Sequence, residues 1–198
     1  SVKNAAGIAS KAANLTIRGN VADANTGDGF SFTGANVVVT GCRATGNGAS
    51  GFSVGGSANV LKGNVASNNV ADGFAIGGGD GHVLTGCAAV GNATGLRVTA
   101  NGIVATGNSF VGNAVEGIAV ASPGTTISKS NVFGNGAVGG TNRGVRTIGA
   151  GTVTLDQMCF GTPTGPGADP ADAVCETGPI IVNEINKKAI KVSPKVPL

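Results

Sequence analysis

The sequence has no Trp, no Tyr and one His, and only 12% of its 198 residues are charged. Soluble domains carry about 25% charged residues, so the Lys- and Glu-rich outer faces of surface helices are missing. Without Trp or Tyr, the flat aromatic platforms common in sugar sites are absent too, which leaves recognition by Asn, Thr and Arg hydrogen bonds. No run of about 20 apolar residues occurs, which excludes a helical membrane span. No charged segment followed by an apolar stretch opens the chain as a signal peptide would. The net charge of +3 is small and its basic residues are dispersed, unlike the footprint of a nucleic-acid binder.

What is present is glycine, 36 of them, with 41% hydrophobic residues, and a polar complement rich in Asn, Thr and Ser. This favours turns and β-branched strands over amphipathic helices, so almost no α-helix is expected. A repeat organises it. Gly29-Phe30, Gly51-Phe52, Gly73-Phe74, Gly95-Leu96 and Gly117-Ile118 follow one another at intervals of 22 residues. Asn25, Asn47, Asn69, Asn92, Asn113 and Asn135 keep that period within one residue, as do Asn20, Cys42, Asn64, Cys87, Asn108 and Asn131. A fixed period of this length marks a solenoid.

Each unit reads as three short strands, such as Leu15 to Arg18, Val21 to Asp23 and Phe30 to Phe32, separated by Gly/Asn turns. Stacking units in parallel at about 4.8 Å turns each column into a row. One inward row is expected to run Ala22, Ala44, Ala66, Ala89, Phe110 and Phe133. Another runs Phe30, Phe52, Phe74, Leu96 and Ile118, with Phe32, Val54, Ile76, Val98 and Val120 two residues on. That leaves Phe160 alone outside the interior. The Asn columns suit corners, because an amide both donates and accepts and Asn tolerates a left-handed backbone.

The pattern N-x-x-x-x-N-x-x-x-G-[FLI]-x-[VIF] resembles the right-handed parallel β-helix repeat of the pectin-lyase-like superfamily, over about residues 4 to 148. The resemblance implies an all-β right-handed parallel β-helix of about six coils. It implies activity only weakly, since that superfamily includes polysaccharide lyases, glycosidases, epimerases, phage tailspikes and surface proteins.

The expected organisation is a β-helix over 1–155 and a Cys/Pro/Gly loop and tail over 156–198 that packs on or caps it. Gly7-Ile8 lies one period before Gly29-Phe30, so the chain is expected to start inside a coil, as a fragment would, or with upstream coils or a subunit covering that end. The first strand of each unit carries a second apolar row, Val38, Val60, Val83, Val104 and Ile127, expected to be covered by a tail including Ile180, Ile181, Val182 and Ile185, or by a second copy. A neighbouring row, Arg18, Thr40, Lys62, Thr85, Thr106 and Lys129, interrupts any flat Thr array of the ice-binding kind.

Cys42 and Cys87 share a column two coils apart, about 9.6 Å, too far for a disulfide, and are expected to be buried thiols. Cys159 and Cys175 flank the Pro/Gly loop and are expected to be bonded to each other, which suits an extracellular or periplasmic setting.

Candidate chemistry is thin. Asp28, Asp72 and Glu116 share a column, with neighbouring acids about 9.6 Å apart, at the upper edge for inverting glycosidases; the commoner role is a solvated corner. His82 follows Asp80 in a Gly-rich run and lacks companion ligands at metal-site spacing, so neither a metal nor a cofactor is expected. Arg97 projects outward beside Thr99. The catalytic candidates are Asp72, Asp80, His82 and Arg97; the substrate-binding candidates are Arg97, Thr99, Asn142 and Arg143, the last two ending an irregular loop from Gly136. The leading expectation is a secreted, noncatalytic scaffold with a structural, adhesive or polysaccharide-contacting role. Alternatives are a polysaccharide lyase, hydrolase or epimerase, and a viral fibre or subunit of a larger assembly.

Overall fold

The structure is a computed structural model; it describes residues 4–136, 143–148 and 151–161, and the backbone pairing of 173–175 and 180–182. The described residues contain no helix. All ladders are parallel and form three sheets, two of eight strands and one of six. The first sheet holds Phe30–Phe32, Phe52–Val54, Asp72–Ile76, Thr94–Val98, Glu116–Val120 and Arg143–Thr147. Thr16–Arg18, Val38–Thr40, Val60–Lys62, Val83–Thr85, Val104–Thr106, Thr125–Ser128 and Val153–Asp156 belong to the second. The third runs from Val21–Asp23 to Asn131–Phe133. Each of six coils contributes one strand to every sheet, which gives a parallel β-solenoid.

The register is the 22-residue period made physical: Phe30 pairs with Phe52 and Phe52 with Phe74. Their rings stack inside the tube at centroid distances of 4.8 and 4.9 Å. Opposite them lie Ala22, Ala44, Ala66 and Ala89, all buried. Small residues there make room for the aromatic column.

The Asn column is buried and fully engaged. Asn25 Nδ2 donates to Asn47 Oδ1 at 2.8 Å, Asn47 to Asn69 at 2.8 Å and Asn69 to Asn92 at 2.8 Å. The same oxygens also accept the backbone N–H of the preceding Asn. Each interior amide from Asn47 on spends its other N–H on a backbone carbonyl, as Asn47 does on Ala22. No buried polar atom of this column is left over, as a stable interior requires. The left-handed backbone falls one residue earlier than expected, at Ala24, Gly46, Asn68, Gly91, Gly112 and Gly134. The ladder asparagines are there for their amides alone.

From the sixth coil the rows run one residue earlier than the sequence pattern suggests. Phe110 pairs with Val132, not Phe133, and Thr106 with Ser128, not Lys129. Val104 pairs with Thr126, while Ile127 faces inward with Ala105. Ser130, not Asn131, accepts the N–H of Asn108. The polar Asn131 and aromatic Phe133 imitate row members one position away. Phe160, expected outside, is fully buried instead, and Phe133 is only partly so.

Cys42 and Cys87 are buried, as expected. Burial pushes the Cys87 thiol up to about 11 and raises that of Cys42. The Cys159–Cys175 bond is not formed: Cys159 is a free, buried thiol. Its backbone joins the third-sheet wall by pairing with Asn131, whereas Cys175 pairs with Arg146 on the first sheet. The two cysteines stand on different walls. Ile180–Val182 pairs in register with Val153 to Leu155, so these residues continue the second sheet rather than lie across its outer valines. Val104 on that outer row is 44% exposed; Ile185 lies outside the described residues.

Candidate functional site

The outer face of the first sheet carries the most distinctive surface. Strand alternation puts Leu96 and Val98 inside and Arg97 outside. In the same outward row stand Ser31, Ser53, Ala75, Arg97, Ala119 and Arg146. From the third coil the strand lengthens from three residues to five, which brings the acid column into the sheet: Asp72 pairs with Thr94 and Thr94 with Glu116.

Each acid then reaches diagonally to an arginine on the next coil. Asp72 Oδ2 accepts from Arg97 Nε at 2.8 Å, and Arg97 Nη2 donates to Thr94 Oγ1 at 3.1 Å. Glu116 accepts from both Nε and Nη2 of Arg146, the latter at 2.8 Å. Asp72 and Glu116 are buried, 8% and 1% exposed, so neither is the solvated corner residue expected. They hold arginines in place instead. A charge-assisted pair of this kind fixes a guanidinium's direction as well as its position.

Beside Arg97 lies a groove of about 270 Å³, whose lining includes Ser53, Gly55, Ala75, Gly77, Arg97 and Thr99. The Arg97 side chain is 38% exposed. The groove thus combines small residues, hydroxyls and one oriented cation.

Of the sequence candidates, Arg97 and Thr99 share this groove, and Asp72 stands behind Arg97. Asp80 and His82 lie on the loop that follows Gly77 and Gly78. His82 is fully buried, and burial lowers its proton affinity, with the Gly79 and Gly77 backbones, Asp80 and the Gly56 backbone opposing. Asp80 Oδ1 accepts the Asn101 N–H at 3.3 Å. The four catalytic candidates therefore do not converge. Arg143 is partly buried at the start of the first-sheet strand Arg143–Thr147; Asn142 lies outside the described residues. Sequence reasoning missed Arg146. Its alignment with Arg97 through Val145 is readable, but the lengthened unit before it hid the row.

A tube of stacked parallel coils with a solvent-facing groove along one sheet is a β-helix. The right-handed β-helix region family matches residues 6–160, and the chain belongs to that family. Two solved structures share the fold. One is a periplasmic alginate epimerase, at TM-score 0.69 and 16% identity, covering 90% of this chain and 48% of its own. The other is the catalytic unit of a thermostable GH87 α-1,3-glucanase from Streptomyces thermodiastaticus, at TM-score 0.54 and 16% identity, covering 93% of this chain and 46% of its own. The chain thus spans about half the length of these structures. A search of curated proteins finds no match. Among the described residues, no helix is long and apolar enough to cross a membrane.

Proposed function

We propose that the chain is a noncatalytic β-helix scaffold, outside the cell or in the periplasm, that contacts a polysaccharide along the outer face of its first sheet. The observation that carries this reading is the groove at Arg97. Its one ionisable lining residue among those described is Arg97 itself, already tied to Asp72. A guanidinium stays protonated at any ordinary pH, so it can bind hydroxyls or a carboxylate but cannot exchange protons as acid–base catalysis demands. The hydroxyls of Ser53 and Thr99 suit sugar hydroxyls, and the cation favours an acidic chain over a neutral one. The fold shared with an alginate epimerase and a glucanase supports a polysaccharide partner, and the periplasmic setting of the former supports the compartment.

The test is a binding panel of uronic-acid polymers and neutral glucans, run beside assays for new reducing ends, unsaturated ends and epimerised residues. Binding to the acidic polymers is expected, weakened about tenfold or more by Arg97→Ala, the scale of a charged hydrogen bond. Turnover abolished by that substitution would establish a lyase, hydrolase or epimerase in place of the scaffold.

A further inference from the structure

The loop from the first sheet to the second is one residue longer in the third coil. Five residues separate Val54 from Val60 and Val98 from Val104, whereas six, Gly77 to His82, separate Ile76 from Val83. Four of the six are glycines, two of them left-handed at φ 80° and 75°, so the loop has few side chains with which to pack. His82 supplies the anchor. It is fully buried, and its Nε2 lies 2.8 Å from the Gly79 carbonyl oxygen. A carbonyl only accepts, so Nε2 carries a proton, and burial favours the neutral ring. Nδ1 is buried with no partner.

One coil earlier Asn59 makes the same gesture, donating from Nδ2 to the Gly55 carbonyl while its Oδ1 accepts the Val37 N–H. His82 thus holds an asparagine's place with a group that titrates. Around it are Asn59 and the Gly56 backbone from the coil before and Ile103 from the coil after; Asp80, on its own loop, is the charged group that bears on it among the described residues. A proton on Nδ1 would put a charged N–H in the interior, where Nδ1 has no hydrogen-bond partner in the closed arrangement and burial outweighs the opposing pull of the Gly79, Gly77 and Gly56 backbones and of Asp80.

We propose that His82 is a proton-operated latch: neutral, it ties down the Gly77–Gly81 loop; protonated, it leaves the interior and frees that loop. Since Gly77 and Gly78 line the groove beside Arg97, acidification would also loosen polysaccharide contact. That last consequence rests on the function proposed above, whereas the latch itself does not.

The sign follows from linkage. The closed ring resists protonation and the open ring has a pKa of about 6.5, so opening takes up a proton and becomes more favourable as pH falls below that value. Hydrogen exchange at Gly79 and Gly81, whose amides bond to the Gly56 and Asn101 carbonyls, reads the opening directly. After correction for intrinsic rates, protection should fall between pH 8 and pH 5, by up to about 30-fold, the limit set by the ordinary pKa of the open ring. His82→Asn, repeating the Asn59 arrangement, should hold it flat. Flat protection in the wild-type protein would overturn the latch, as would an equal fall in the variant; the wild-type measurement decides alone should the variant not fold. Affinity for an acidic polymer should fall with pH in the wild type and not in His82→Asn. If no polymer binds even at pH 8, the proposed function fails while the exchange result still judges the latch.

Discussion

At the scale of single residues, the molecule depends on side chains that do one job completely. Asn69 Oδ1 accepts from both the backbone and the side chain of Asn47, so Asn69→Ala strands two buried donors. Each such orphan costs about 1–3 kcal/mol, and urea unfolding should register a loss of about 2–6 kcal/mol. Cys87 is expected to resist alkylation at pH 8 in the native state, where it is fully buried and its thiol pKa is pushed up to about 11, and to react on unfolding; peptide mapping by mass spectrometry would show it. These columns were legible in the sequence because the same residue type recurs every 22 positions. The Asp72–Arg97 pair was not, since its partners lie 25 residues apart, on different coils and in different columns. Periodicity shows rows, and a diagonal contact crosses them.

At the scale of strands and turns, the second-to-third-sheet corner takes a left-handed residue in every coil, filled by Gly19, Gly41, Gly63, Gly86 and Gly107 and then by Lys129 at φ 49° and Gln157 at φ 51°. A side chain there costs about 1–2 kcal/mol, part of which glycine returns as chain entropy in the unfolded state. Lys129→Gly should therefore stabilise the protein by about 0.5–1 kcal/mol, seen as a raised melting temperature. Phe52, in the middle of the aromatic stack, should cost about 3–5 kcal/mol on truncation to Ala. The misplacement of the sixth coil in the sequence pattern has its origin at this same turn. A lysine in the glycine position, followed by Asn131 and Phe133, makes a shifted register look as good as the true one.

At the scale of the whole tube, every coil touches chiefly its neighbours, and stability approximates a sum of coil terms and interfaces between coils. Removing residues 47–68, one complete period, would set Asn69 under Asn25 and Phe74 under Phe30. The shortened chain should keep its β-sheet circular dichroism and unfold cooperatively with a smaller denaturant slope; a random-coil spectrum would show that the coils are not interchangeable. The asparagine ladder adds a condition. Its side-chain bonds all run one way, from the amide nitrogen of one coil to the amide oxygen of the following one. The column is therefore a vector, with a row of oxygens looking backward and a row of N–H groups looking forward. Two copies could extend it only head to tail, because a twofold meeting of like ends would press acceptor against acceptor at one end or donor against donor at the other.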